Sequence, residues 1–193
     1  MRIISGQYKG RIITPPRNLR ARPTTDFAKE NLFNVLAGFG FDYEECDVLD
    51  LFAGTGSVSY EFASRGARSV TAVEINAVHH AFIRRTAAEL DFDGRSNLIV
   101  VKANVFNYLR ACTRRFDIVF SDAPYDLPGS EEVISLVFER GLLRCEGETR
   151  DDGSIVAENG LLIFEHSCGH DFSTHPRFLQ TRNYGSVQFS LFG

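Results

Sequence analysis

The chain has 193 residues, 44% of them hydrophobic and 24% charged, with a formal net charge of −4. That length and mixture suit one globular domain, 1–193, with a large core, and argue against a disordered chain. No apolar run approaches the ~20 residues of a membrane span, and the N-terminus lacks a signal-peptide core, so a soluble cytoplasmic protein is expected. Cys46, Cys112, Cys145 and Cys168 are widely spaced with no CxxC pair, which predicts reduced thiols. Charge is unevenly placed. Residues 1–30 hold seven basic groups (Arg2, Lys9, Arg11, Arg17, Arg20, Arg22, Lys29) against Asp26 and Glu30, giving +5, while the rest of the chain is −9. Arginine outnumbers lysine 18 to 3. An arginine-rich arm on an acidic body suits phosphate contact, although a solvated face would carry the same charges.

In chain order, residues 2–4 and 11–13 read as two short strands joined through Gly6 to Gly10 as a hairpin. Pro15, Pro16 and Pro23 keep the following stretch extended. Thr24 or Thr25 then starts a helix with Phe27, Leu32, Val35 and Leu36 on its apolar side, stopped by Gly38. The pattern divides the chain into a basic hairpin and arm (1–23) and a core (24–193).

The core opens on the run Asp47-Val-Leu-Asp50-Leu-Phe-Ala-Gly54-Thr-Gly56-Ser57. Val48, Leu49 and Leu51 suit a strand buried on both faces, as parallel strands are. Gly54 and Gly56 let the backbone turn sharply and lie close to a ligand, and Ser57 is expected to cap the next helix. Residues 69–74 form a second strand ending in Glu74, where a carboxylate can accept hydrogen bonds from both ribose hydroxyls. This is a nucleoside-binding β–α–β unit. A dinucleotide would favour Gly-x-Gly-x-x-Gly, and the third glycine position is Ser59. Asp50, four residues before the first glycine, suits a ligand with positive charge, as the sulfonium and ammonium of S-adenosylmethionine provide.

Farther on, Asn76 caps a helix running to about residue 91, and residues 97–102 form the third strand. A helix over 105–113, a fourth strand over 116–122 and a helix over 130–143 follow. The acidic loop 146–154 reads as surface. Residues 161–165 are a fifth strand, and 178–182 with 186–191 a closing antiparallel pair. Strands alternating with helices predict an α/β, Rossmann-like, doubly wound and mostly parallel sheet. Ligands in such sheets sit outside the carboxyl ends of the strands. There the fourth strand ends in Asp122-Ala123-Pro124-Tyr125. The Asp122 carboxylate and a backbone carbonyl can accept the two hydrogens of a base's exocyclic amine while Tyr125 stacks on its ring. An ordinary Asp/Pro turn has the same composition.

These residues carry a resemblance. The chain resembles the 16S ribosomal RNA (guanine-N2)-methyltransferases of the RsmD type, in Met1-Arg-Ile-Ile-Ser-Gly6 with Lys9-Gly-Arg11, Arg22-Pro-Thr-Thr-Asp26, Asp50-Leu-Phe-Ala-Gly-Thr-Gly56, Glu74-Ile-Asn76, Asp122-Ala-Pro-Tyr125 and Phe164-Glu-His166. It implies a class I methyltransferase fold and S-adenosylmethionine held by Thr25, Asp50, Phe52, Gly54, Thr55, Gly56, Glu74, Ile75, Asn104 and Asp122. It also implies a catalytic motif of Asp122, Ala123, Pro124 and Tyr125. The RNA side would comprise Arg2, Lys9, Arg11, Arg17, Arg20, Arg22 and Tyr125, with a flipped guanine as target. The family motif usually has proline where Ala123 stands, so the turn loses stiffness but keeps its carbonyl.

An N6-adenine methyltransferase, a dinucleotide oxidoreductase and a non-catalytic RNA-binding assembly protein remain as alternatives. His166, Cys168 and His170 read as structural, so no metal is expected. His79 and His80 read as exposed, Phe27 as either core or lid. The expected partner is ribosomal RNA, within a small subunit or its assembly intermediate, and the expected state is a monomer.

Overall fold

The strand Asp47–Leu51 (β1) is buried at every position because a parallel neighbour flanks it on each side and helices cover both of its faces. A computed structural model describes residues 1–16, 19, 25–90, 98–185 and 187–193. In chain order the core comprises Asp26–Ala37 (α1), β1, Ser57–Ser64 (α2), Ser69–Glu74 (β2), Ala77–Leu90 (α3) and Leu98–Lys102 (β3). Then come Val105–Ala111 (α4), Ile118–Asp122 (β4), Glu132–Glu139 (α5), Leu161–His166 (β5), Phe178–Tyr184 (β6) and Val187–Phe192 (β7). The seven strands lie in the order β3-β2-β1-β4-β5-β7-β6, with β7 antiparallel to both neighbours and the rest parallel.

Alternate residues of β1 split between two cores. Val48 packs with Leu32, Leu36 and Phe62 of α1 and α2, whereas Leu49 and Leu51 pack with Leu109, Val133 and Val137 of α4 and α5. The chain moves outward from β1 to β3, then crosses back to β4 on the other side of β1. That reversal opens a crevice at the carboxyl ends of β1 and β4.

Thr25 starts α1, its Oγ1 accepting from the Ala28 N–H at 3.1 Å. The buried stripe is Ala28, Leu32, Val35 and Leu36, at helical spacing. Phe27 falls about 100° off that stripe, one residue of helical phase. It is 62% exposed and so is not a core residue. Helix α4 ends two residues before its predicted limit. Helix α5 begins at Glu132 because Gly129 holds φ at +73° and residues up to Glu131 stay in a turn. Strand β4 begins at Ile118, since Phe116 makes an isolated bridge to Leu143. Asn97 and Ser186, predicted ends of strands, lie outside the described residues, as does the end of the third helix beyond Leu90.

The N-terminal hairpin forms as one antiparallel bridge, Arg2 to Ile12, and it docks on α2. The fully buried Glu61 accepts from the backbone N–H groups of Ile4 at 2.8 Å and Ser5 at 2.9 Å. The loop 146–154 is not simply surface. Arg150 is 6% exposed and donates to both oxygens of Asp117, at 2.9 and 2.7 Å, beneath the amino ends of β1 and β4. Arg68 and Arg144 pair with Asp47 beside it. Among the described residues no helix is long and apolar enough to cross a membrane.

Candidate active site

A cleft of about 590 Å³ opens over the carboxyl ends of β1, β2 and β4, within the range for a drug-sized ligand. Its floor is the turn after β1. Gly54 and Gly56 both adopt left-handed φ, +56° and +79°, and so does Phe52 at +57°, a conformation a bulky residue holds only under tight constraint. Gly56 itself precedes α2 as N-cap with no side-chain cap, and Ser57 is the first helical residue, so serine does not cap this helix. A Cβ on Gly56 would sit 2.7 Å from the Tyr60 ring, which fixes glycine there for packing reasons.

Glu74 closes β2 and faces the cleft. Its Oε2 accepts from the Gly54 N–H at 2.8 Å and its Oε1 from the Asn76 N–H at 2.7 Å. A carboxylate has about four acceptor positions, so two remain for ligand hydroxyls. Thr25, Phe52, Gly54, Thr55, Ile75 and Asn104 also line the cleft. Asn104 uses Oδ1 to cap α4, accepting from the Asn107 N–H at 3.1 Å. His79 lines the cleft too, with Nδ1 3.9 Å from Glu74 Oε1; it is half-buried, not exposed as its helix position suggested.

Asp50 and Gly56 are the cofactor candidates that do not line the cleft. Asp50 is 2% exposed, behind the turn, and accepts a hydrogen bond from the Ser59 hydroxyl. Burial pushes its carboxyl up to about 7, opposed by the Ser59 hydrogen bond and aided by the nearby charges of Asp122 and Glu74. Ser59, noticed in the sequence only as a missing glycine, is therefore the partner of that acid.

The other end of the cleft is Asp122, Ala123, Pro124 and Tyr125. Tyr125 is 46% exposed, with its ring at the cleft wall, and its hydroxyl donates to Glu165 Oε1 at 3.4 Å. Glu165 is 6% exposed, lines the cleft, and was visible in the sequence only as part of a family motif. The neighbouring His166 bonds Ser190 Oγ through Nε2 at 2.8 Å, and burial lowers its pKa. Among the described residues no cluster of three or more metal-ligating side chains occurs.

Of the basic candidates, Lys9 and Arg11 are exposed, while Arg2 is half-exposed and pairs with Asp26 at 3.2 Å. Arg17, Arg20 and Arg22 lie outside the described residues. Lys29, counted with the arm by charge, is 1% exposed and donates to the Arg2 carbonyl, so it cannot reach a phosphate.

The donor set fits S-adenosylmethionine: an acid with spare acceptor positions, apolar flanks at Phe52 and Ile75, and a backbone turn without intruding side chains. With the seven-stranded order, this makes the protein a Rossmann-like S-adenosylmethionine-dependent methyltransferase. A family model described as conserved hypothetical protein 95 matches residues 1–193, and the chain belongs to that RsmD-type family. The ribosomal RNA small subunit methyltransferase D of Escherichia coli K12 is 36% identical over 162 residues, 83% of this chain and 77% of that protein. The protein of the same name from Haemophilus influenzae is 31% identical over 176 residues, 88% of this chain and 89% of its own. The solved structure of the Escherichia coli protein yhhF superimposes with a TM-score of 0.75 at 30% identity, covering 100% of this chain and 96% of that one.

Proposed function

We propose that this protein transfers a methyl group from S-adenosylmethionine to the exocyclic N2 of a guanine in 16S ribosomal RNA. The carrying observation is that one cleft runs from Glu74 to Asp122 and Tyr125, so the acid proposed to hold the cofactor and the motif proposed to hold the base line a single open cleft. The names of the Escherichia coli and Haemophilus influenzae relatives support small-subunit ribosomal RNA as substrate.

When bound, the cofactor supplies an electrophilic methyl on a sulfonium. The chain's own residues do the rest. Glu74 would accept from the ribose hydroxyls and Asn104 would contact the adenine ring, with Thr25, Phe52, Gly54, Thr55 and Ile75 completing the lining that would hold the cofactor. The Asp122 carboxylate and the Ala123 carbonyl accept the two amine hydrogens, and Tyr125 stacks on the base. An exocyclic amine is a poor nucleophile because its lone pair is conjugated with the ring. Acceptors that favour a pyramidal nitrogen aim that lone pair at the methyl, so the protein contributes alignment and electrostatics. Asp122 then takes the surplus proton from the nitrogen. Flipping the guanine into the cleft costs a few kcal/mol of unstacking, less in a loop. Phosphate contacts fall to Arg2, Lys9 and Arg11 with Arg17, Arg20 and Arg22. The protein acts as a cytoplasmic monomer on the small subunit or its assembly intermediate.

The test is radiolabelled methyl transfer to small ribosomal subunits from cells lacking this protein, followed by digestion to nucleosides. Labelled N2-methylguanosine is the expected product. Labelled N6-methyladenosine would replace the proposal with an adenine methyltransferase, and absence of label would favour a non-catalytic assembly role.

A further inference from the structure

Strands β4 and β5 run parallel, and their register sets Asp122 directly beside Glu165. Paired residues of neighbouring strands lie ~4.8 Å apart and point to the same side. Both acids line the cleft. Glu165 also borders a second hollow of about 230 Å³ that shares Ala123 and Tyr125 with the cleft, so Glu165 lines both spaces. The Tyr125 hydroxyl, donating to Glu165 Oε1 at 3.4 Å, links the stacking ring to that carboxylate.

We infer that Glu165 selects the base, accepting the N1–H of the target guanine while Asp122 holds its N2 amine; this rests on the guanine-N2 assignment above. Guanine presents two adjacent donors on this edge, N1–H and N2–H, and two adjacent carboxylates present only acceptors. Adenine presents an amine beside an N1 lone pair. With its amine on Asp122, that lone pair would face the Glu165 carboxylate, two acceptors with no proton between them in a largely buried site. Sites that hydrogen-bond a substrate group reject analogues lacking it strongly, because the buried partner is left unsatisfied. Discrimination therefore comes from repulsion of the wrong base as much as from attraction of the right one.

The discriminating substrate is 2-aminopurine, which keeps the exocyclic amine at C2 but carries no proton on N1. Three versions of the target RNA would hold guanine, 2-aminopurine or adenine at the position the wild-type protein methylates. Wild-type kcat/KM should favour guanine over 2-aminopurine by roughly 10- to 100-fold, the worth of a hydrogen bond to a charged acceptor. Glu165→Gln should narrow that ratio by about tenfold, since its amide can turn a donor toward an unprotonated N1. The ratio is independent of how much of the variant is folded, and the wild-type comparison needs no variant. Equal wild-type rates on guanine and 2-aminopurine, or a ratio unmoved in Glu165→Gln, would overturn the role of Glu165 while N2-methylguanosine still formed. No N2-methylguanosine from the wild type would overturn the guanine assignment itself.

Discussion

Glu74 braces the protein before any ligand arrives. Its two oxygens hold the N–H groups of Gly54 and Asn76, joining the glycine turn to the start of α3. Replacing it should therefore loosen the turn as well as remove the ribose contacts proposed for it. Glu74→Ala should weaken S-adenosylmethionine by about 1.5–3 kcal/mol, the range for hydrogen bonds to a charged group. Titration calorimetry on the folded variant measures this directly, and an unchanged affinity would take Glu74 out of the cofactor site.

Asp50 makes a different demand. Burial pushes its folded carboxyl up to about 7, from 3.8 for the ordinary side chain. Between about pH 4 and 7 the native state keeps a proton that the unfolded chain has released. The stabilisation from this group is thus complete below about pH 4 and is lost as pH rises to about 7. Asp50→Asn keeps the shape and can still accept from Ser59. Its stability relative to wild type should rise between about pH 4 and pH 8 by a few kcal/mol, on the order of 1.4 kcal/mol for each step of one in pH between about 4 and 7 and no further above that. Urea unfolding of both proteins at the two pH values gives the answer, and a constant difference would mean that Asp50 is ionised even when buried.

At the scale of elements, the hairpin and α2 form one unit. Gly6 lies so close to the helix that a Cβ would meet the Ser64 carbonyl oxygen at 1.8 Å, and Tyr8 N–H reaches Ser64 Oγ at 3.0 Å. Glu61 is the anchor, and it also receives the Arg65 guanidinium at 3.0 Å. Glu61→Ala would strand two backbone N–H groups and leave Arg65 and Lys29 short of a counter-charge. We expect a stability loss of about 3 kcal/mol, typical of breaking a buried ion pair. Amide exchange should quicken at Ile4 and Ser5, with cofactor affinity little changed. If those amides stay protected, the hairpin is held by its apolar side chains, Ile3 and Ile13, instead.

Elements were readable in the sequence where local patterning decides them. The β1 run, the Thr25 and Asn76 caps and the closing strand pair all carry their own signals. The glycine turn, Glu74 and Asp122 could be assigned to one crevice because a doubly wound sheet gathers its strand ends. What stayed hidden depends on contacts between distant segments. Ser59 behind Asp50 follows from how α2 leans on β1, and the pairing of Asp122 with Glu165 needs strand register, which alternation alone does not give. Phe27 stayed open between core and lid because one residue of phase separates a buried helix position from an exposed one.

Across the whole molecule, the two ends of the sheet are divided by task. Ligand-facing groups stand at the carboxyl ends of the strands. The amino ends of β1 and β4 are closed by an ionic clasp, in which Arg68 and Arg144 meet Asp47 and Arg150 meets Asp117. Of the basic N-terminal residues that are described, Lys9 and Arg11 belong to neither set. Neutralising Arg11, Arg17 and Arg20 together should flatten the salt dependence of RNA binding, measured as the slope of log affinity against log salt, and spare the cofactor. An unaltered slope would make the arm a solvated face.

The Arg150 clasp bears on how long the native state lasts. Its loop lies between α5 and β5, and the Asp117 carboxylate it engages also accepts from the Asp47 N–H at 2.8 Å, so the clasp ties that loop to the starts of β1 and β4. We predict that this long-range contact forms after the folding transition state, so that it governs escape from the native basin more than arrival there. Arg150→Met should leave the refolding rate nearly unchanged and raise the unfolding rate, lifting the unfolding limb of a chevron plot without changing its slope; a slowed refolding limb with the unfolding limb unmoved would overturn this. The clasp would then act as a latch in time, setting the lifetime of a fold whose rate of formation is decided elsewhere.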